Sequence, residues 1–342
     1  MTLTIQRSAS DLHLNPGRPP VGRIDGTLTS LTDEVLDDAA VDVLIKEICN
    51  EGHWKELQEI GSTDFGLPHA SGNRFRVSVY RQRGRYSAVL RLIPSKLLTF
   101  DQIGLPAAVQ ELLRRPRGLV LVTGPTGSGK TTTLATMVDW INQNISRHII
   151  TIEDPIEYYH GHGLGLVSQR EIGEDVPNFP EAMKRALRQD PDVILLGEMR
   201  DLDTISAAVT AAETGHLVFG TLHTTGSART VNRLIDAFPS NQQEQVRAQL
   251  SVSLAAVVSQ VLLPRDGGGR VAAFEVMLMT PAIANLIRKN ETAKVQSTIQ
   301  TSRRMGMVTL DDSLLDLVRR GEITAEVALD HAQDRNDLES RL

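Results

Sequence analysis

The stretch GPTGSGKT, residues 124–131, spaces its glycines, lysine and threonine in a way suited to holding a chain of phosphates. It matches G-x-x-x-x-G-K-[ST] in full. Gly124, Gly127 and Gly129 let the backbone turn sharply, so that amides face an anion, and Pro125, Thr126 and Ser128 complete the loop. Lys130 is placed to reach the β- and γ-phosphates, and Thr131 to ligate magnesium, with Thr132 beside it. An apolar run, 119–123, precedes the loop, and a stretch rich in Thr, Leu, Ala and Met follows it. That is the strand–loop–helix setting in which a helix N-terminus adds partial positive charge toward phosphate. The expected ligands are ATP and Mg2+.

Several acids stand where such a loop would need them. HIITIEDPIE, 148–157, reads as a strand followed by Glu153, Asp154 and Glu157, with Pro155 ending the strand pattern. DVILLGEMRD, 192–201, reads as a buried strand running into Gly197 and Glu198. Phosphate-loop strands of this kind usually end in a magnesium-holding aspartate, and here a glycine takes that place. In an open parallel sheet, ligands lie beyond the carboxyl ends of the strands. Both acid groups and the phosphate loop are expected at that edge, where a carboxylate can orient the attacking water. Glu157 and Glu198 are read as functional, whereas Asp201 reads as the cap of the helix that begins DLDTISAAV. His216 and His223 flank LVFGTL, and seven residues of strand put them more than about 20 Å apart, which excludes a shared metal. His223 falls at the carboxyl end, suited to hydrogen bonding toward phosphate or water. His216 falls at the start, farther from the phosphate.

The elements that must position these residues follow from periodicity. Apolar runs alternate with helical stretches from GLVLVTG through HLVFGTLH, the rhythm of strand–helix–strand units. The expected fold is therefore α/β, with a mostly parallel sheet covered by helices on both faces. The segment from about 180 to 189 is expected to be helical, as is 201–213. After about 227 helices dominate, with a hairpin near 262–277. Residues 32–51 read as one helix capped by Thr32, and 73–93 as a hairpin with Gly84 in its turn. The boundaries expected are a smaller α/β domain over 1–97, a linker over 98–108, and the nucleotide domain with a helical C-terminal part over 109–342.

Bulk properties narrow the function. The chain has 342 residues and a net charge of −6, and 4% of its residues are aromatic. With no long Lys/Arg run, that argues against a nucleic-acid partner, and hence against a DNA translocase, which would want a basic pore and stacking aromatics. The single cysteine, Cys49, excludes an internal disulfide and a four-cysteine zinc insertion, and reads as a small buried apolar group. No apolar run reaches the ~20 residues of a membrane helix, and the N-terminus has no signal pattern, so the expected compartment is the cytoplasm.

The combination GPTGSGKT, TIEDPIEYYH, LRQDPDVILLGEMRD and AAETGHLVFGTLHTTGSARTVNRLID, in that order, resembles the secretion ATPase superfamily. The resemblance extends over nearly the whole chain and is greatest to the pilus-retraction branch, the PilT family. It implies a PAS-like N-terminal domain joined to a RecA-like ATPase domain, assembled as a homohexamer that powers type IV pilus retraction and twitching motility. It implies Glu157 as the catalytic glutamate of the "Asp box" that also holds Glu153 and Asp154. Glu198 matches the atypical Walker B glutamate, and His216 and His223 match the family's histidines. Arg76 and Arg91 match two hairpin arginines that reach nucleotide. The implied partners are an inner-membrane platform protein at the cytoplasmic face and other pilus ATPases. Extension-type and type II secretion relatives, the alternative within the superfamily, usually carry an additional N-terminal domain and often the zinc insertion. A non-enzymatic scaffold is disfavoured by the presence of Lys130 and Glu157. Ala284, in AIANLIR, stands where the retraction branch usually has arginine, and the start close to SDLHL implies a shortened or altered first helix.

Overall fold

The computed structural model describes residues 1–24, 26–93 and 97–342. Residues 25 and 94–96, within the expected smaller domain, lie outside the described residues. The chain forms two compact units. One comprises Met1–Lys96 with Pro155–Tyr159, and the other Leu97–Asp154 with His160–Leu342.

The first unit is built on a six-stranded antiparallel sheet. Its strands are β1 (Asp11–Leu14), β2 (Val21–Ile24), β3 (Thr27–Ser30), β4 (Ser62–Pro68), β5 (Arg74–Gln82) and β6 (Arg85–Ile93), in the order β3-β2-β1-β6-β5-β4. Period-two alternation buries Phe75, Val77 and Val79 of β5 together with Val41, Ile45 and Leu57 from two helices, and leaves Arg76 exposed. The expected hairpin is present. Its two-residue turn has positive φ at both Arg83 (50°) and Gly84 (77°), the geometry that matches strand twist.

The helix expected over 32–51 differs. It starts at Asp38, because the Asp37 carboxylate accepts from the Ala40 amide at 2.7 Å and Leu36 is held in a bridge with Arg18. Thr32 is not a cap. A second helix, Glu51–Ile60, follows at once, opened by Asn50 and His53 in a reciprocal capping box. A five-residue helix, Thr2–Gln6, precedes β1. Cys49 is half-buried against this core, and burial pushes its thiol up to about 11.

The second unit holds a seven-stranded sheet of β7 (Gly118–Thr123), β8 (His148–Glu153), β9 (Leu166–Glu171), β10 (Val193–Leu196), β11 (Leu217–Leu222), β12 (Leu254–Pro264) and β13 (Arg270–Leu278). The order is β13-β12-β7-β11-β10-β8-β9, parallel except for β13. Alternate residues of β7 face opposite cores. Leu119 and Leu121 join Ile194, Val218 and Leu250, while Val120 and Val122 join Met137, Ile141 and Phe219. Burial on both faces explains the near-continuous Val/Leu/Ile runs.

Two features depart from expectation. β9 is an added parallel edge strand, whose polar sequence LVSQRE hides it from a search for apolar runs. The hairpin near 262–277 is longer, and its first strand, β12, enters the parallel sheet beside β7.

Candidate functional site

Because β7, β8, β10 and β11 are parallel, their carboxyl ends bring residues 124–129, 153–154, 197–201 and 223–226 to one edge of the second unit. The phosphate loop turns there through positive φ at Gly124 (145°), Gly127 (80°) and Gly129 (87°). Gly124 is required twice over. A Cβ there would lie 2.2 Å from the Gln260 carbonyl oxygen, since β12 runs directly alongside. Gln260 also donates through Nε2 to the Ser128 carbonyl at 2.6 Å and is buried. Lys130 opens the helix Lys130–Asn144 and bends back over its loop, donating to the carbonyls of Gly124 (2.9 Å) and Pro125 (3.1 Å). Thr126 and Gly127 are exposed at the loop's crest, and Thr131 and Thr132 are half-buried in the first helical turn.

Glu198 sits immediately after the glycine that replaces the expected aspartate. Gly197 is there for space: a Cβ would approach the Glu153 Cα and the Ile152 carbonyl oxygen to 3.3 Å. Its own carbonyl accepts from the Thr221 hydroxyl at 2.5 Å, which ties the ends of β10 and β11 together. The Glu198 Oε1 lies 2.6 Å from Arg200 Nε and 3.1 Å from His223 Nε2, while His223 Nδ1 stands 3.5 Å from the Thr126 hydroxyl. A chain of polar groups thus runs from Arg200 through Glu198 and His223 to the phosphate loop. Burial pushes the Glu198 carboxyl up, but the hydrogen bond and charge of Arg200, with His223, outweigh it and hold the carboxyl below its ordinary value. The hydrogen bond to Glu198 raises Arg200 in turn.

The remaining predicted residues fall in several places. Glu153 is buried and accepts from the Thr151 hydroxyl (2.6 Å) and Gln169 (3.2 Å), while Asp154 is exposed. Asp201 caps its helix through the Thr204 amide and hydroxyl, both at 2.8 Å. His216 begins β11's approach and is bound through Nδ1 to the Ala211 carbonyl at 3.0 Å, away from the carboxyl edge. Glu157 lies in the segment 155–159, which belongs to the first unit, and pairs there with Arg76 at 3.8 Å. Tyr159 of that segment carries the Arg74 guanidinium over its ring at 4.5 Å. Arg91 on β6, the cross-strand partner of Arg76 on β5, is taken up by Asp11 at 2.9 Å.

Sequence reasoning missed Arg200 and Gln260. Their signals were a basic residue two places after Glu198 and a polar residue inside the apolar run 254–263. The loop fits a nucleotide's phosphates by its glycine dihedrals and by the close strand that excludes any side chain. Among the described residues no three His, Cys, Asp or Glu side chains cluster to hold a metal.

Residues 61–267 match the family model described as "Type II/IV secretion system protein". The chain is 49% identical to the type IV pilus retraction ATPase PilT of Pseudomonas aeruginosa, over 97% of each chain. It is 45% identical to a twitching motility protein of Neisseria gonorrhoeae, over 93% of this chain and 86% of that one. Among solved structures it resembles the pilus retraction motor PilT with bound ADP, at a TM-score of 0.93 and 48% identity, covering 99% of this chain and 97% of that one. The ATPase DotB of Legionella pneumophila follows at a TM-score of 0.80 and 28% identity, covering 95% and 92%. No helix among the described residues is long and apolar enough to cross a membrane. A chain so matched over its length, with its phosphate loop complete, belongs to the type II/IV secretion system protein family, in its PilT-type branch, and is an ATPase.

Proposed function

We propose that this chain works as a homohexameric motor that spends ATP hydrolysis on pulling pilin subunits out of a type IV pilus, and so on twitching motility. What supports this most directly is the complete phosphate loop joined through His223 to Glu198, in a chain nearly half identical to a retraction ATPase over 97% of its length. The loop amides and Lys130 bind the β- and γ-phosphates, and Thr131 holds Mg2+, which when bound offsets phosphate charge. Glu157 orients the attacking water and takes its proton. Glu198, ionised and buttressed by Arg200, keeps His223 turned toward the loop's crest. Arg76 and Arg91 reach the nucleotide of a neighbouring copy, which makes each site dependent on assembly. The mechanical partner is a platform protein at the cytoplasmic face of the inner membrane, and related pilus ATPases work alongside it.

Steady-state turnover and nucleotide binding test the assignment together. Lys130→Ala is expected to abolish hydrolysis. Glu157→Gln is expected to bind ATP yet lower kcat by at least about a hundredfold, the scale of losing a general base. Near-normal turnover in either variant would overturn the assignment. If Glu198→Gln alone showed the bind-but-not-hydrolyse behaviour, the base would be Glu198 instead.

A further inference from the structure

Glu275 lies on β13, fully buried, and no part of the proposed hydrolysis uses it. One carboxylate oxygen accepts from the Ser227 amide at 2.6 Å and the other from the Gln333 side chain at 3.0 Å. Ser227 opens the helix Ser227–Asp236, whose N-cap, Gly226, has no side chain with which to cap it. The missing acceptors come from two neighbouring strands instead. Ser259 of β12 and Glu275 of β13 are direct cross-strand partners, so they project to one face, and Ser259 Oγ accepts from the Gly226 amide at 2.9 Å. Consecutive amides at a helix N-terminus are thus held by a hydroxyl and a carboxylate, where the helix dipole favours negative charge. Gly226 cannot be replaced without strain. Its φ is +89°, and a Cβ would meet Gln333 Nε2 at 3.3 Å.

The consequence lies four residues upstream. Between the end of β11 at Leu222 and the pinned amides of Gly226 and Ser227 there are only His223, Thr224 and Thr225. Thr224 is also tied down, through hydroxyl bonding to Thr230 at 2.8 Å, and Thr230 reaches Thr123 at the end of β7. A turn this short, fixed at both ends, leaves His223 little choice of position. We propose that Glu275, assisted by Ser259, is a positioning residue that fixes the 223–227 turn and through it aims His223 between Glu198 and Thr126. The same carboxylate gathers the C-terminal segment, since Gln333 is itself fixed by its amide to Asp311 at 2.7 Å. The inference rests on the functional reading of His223 given above.

The test is a set of turnover and ADP-binding measurements on the assembled full chain. Glu275→Met keeps the bulk and removes the acceptors, and is expected to lower kcat at least tenfold with ADP affinity within about threefold, because Gln260 still holds the phosphate loop. Glu275→Gln keeps an acceptor for Ser227 and should recover kcat to within about threefold. Ser259→Ala, a milder change that decides the matter if Glu275→Met does not fold, should lower kcat about threefold. In a His223→Ala background none of these should lower kcat further, whereas a merely structural role would multiply through. Wild-type kcat in folded Glu275→Met, or undiminished losses in that background, would overturn the inference while leaving the role of His223 intact. Wild-type kcat in His223→Ala alone would instead sink the functional reading, and this inference with it.

Discussion

At Glu198 a carboxylate stays ionised against burial because a guanidinium lies 2.6 Å away. Its depressed pKa means that the charge persists to lower pH than for a free glutamate and is lost only as pH falls through the folded value. Arg200→Ala removes the strongest counterweight to burial, so the pH at which Glu198 protonates moves up. Provided Glu198 supports His223 as proposed, the acid limb of the kcat–pH profile moves up with it, and an unmoved limb would separate Glu198 from turnover. The neighbouring glycine is a second residue-scale case. From sequence, Gly197 reads only as a missing aspartate. The structure gives it a positive reason, the backbone of Ile152 and Glu153 standing 3.3 Å from where a Cβ would lie. Gly197→Ala is expected to cost about 1–3 kcal/mol, the usual range for forcing an extra carbon into a packed site, measurable by chemical denaturation. The phosphate loop was legible because its residues are contiguous and its spacing is its chemistry. Gln260 and Glu275 were not, because they lie far along the chain from the loop and from the 223–227 turn that they respectively hold, and reach them only through the register of β12 with β7 and β13.

Among elements, the parallel strands were readable as apolar runs, since burial on both faces leaves little room for polar residues. β9 escaped for the opposite reason. At the sheet edge, strand pairing on one side suffices, and Ser168, Gln169 and Arg170 are only half-buried. The helix expected at Thr32 failed on competition between two caps. Apolar periodicity continued across the true start, but Asp37 holds the Ala40 amide while Leu36 is drawn into a bridge. The Ala284 position is also clearer: it is buried on the helix Pro281–Arg288, which packs on Gln243–Ser253, so a longer side chain there would have to run out along the helix to reach water. The C-terminal helices offer a prediction of their own. Asp312, buried on the helix Leu310–Arg319, accepts from both Arg303 and Arg341. Burial pushes its carboxyl up, but hydrogen bonds from Arg341, Thr309 and Arg303 outweigh this and lower it. Such a group contributes stability above its unfolded pKa and loses it as pH falls through the folded value. Asp312→Asn should therefore destabilise by about 1–3 kcal/mol near neutrality, with the difference closing toward acid in a pH series of melts. A constant difference would contradict the ionic role.

For the whole molecule, what matters is that Glu157 and the phosphate loop belong to different compact units, while Arg76 shares a unit with Glu157. That division was invisible in the sequence, where 148–157 reads as one continuous motif and only the chain's tertiary contacts separate its last residues. If Arg76 serves a neighbouring copy's nucleotide, mixing Arg76→Ala with Lys130→Ala subunits should restore part of the turnover that each lacks alone, and complete absence of recovery would confine Arg76 to its own chain. The claim that this ATPase retracts a pilus is tested most directly in cells that encode it, by following individual labelled pili after the gene is deleted. The account predicts pili that extend but no longer retract, restored by the wild-type chain and not by Lys130→Ala. Normal retraction without the gene, or loss of all surface pili, would contradict it.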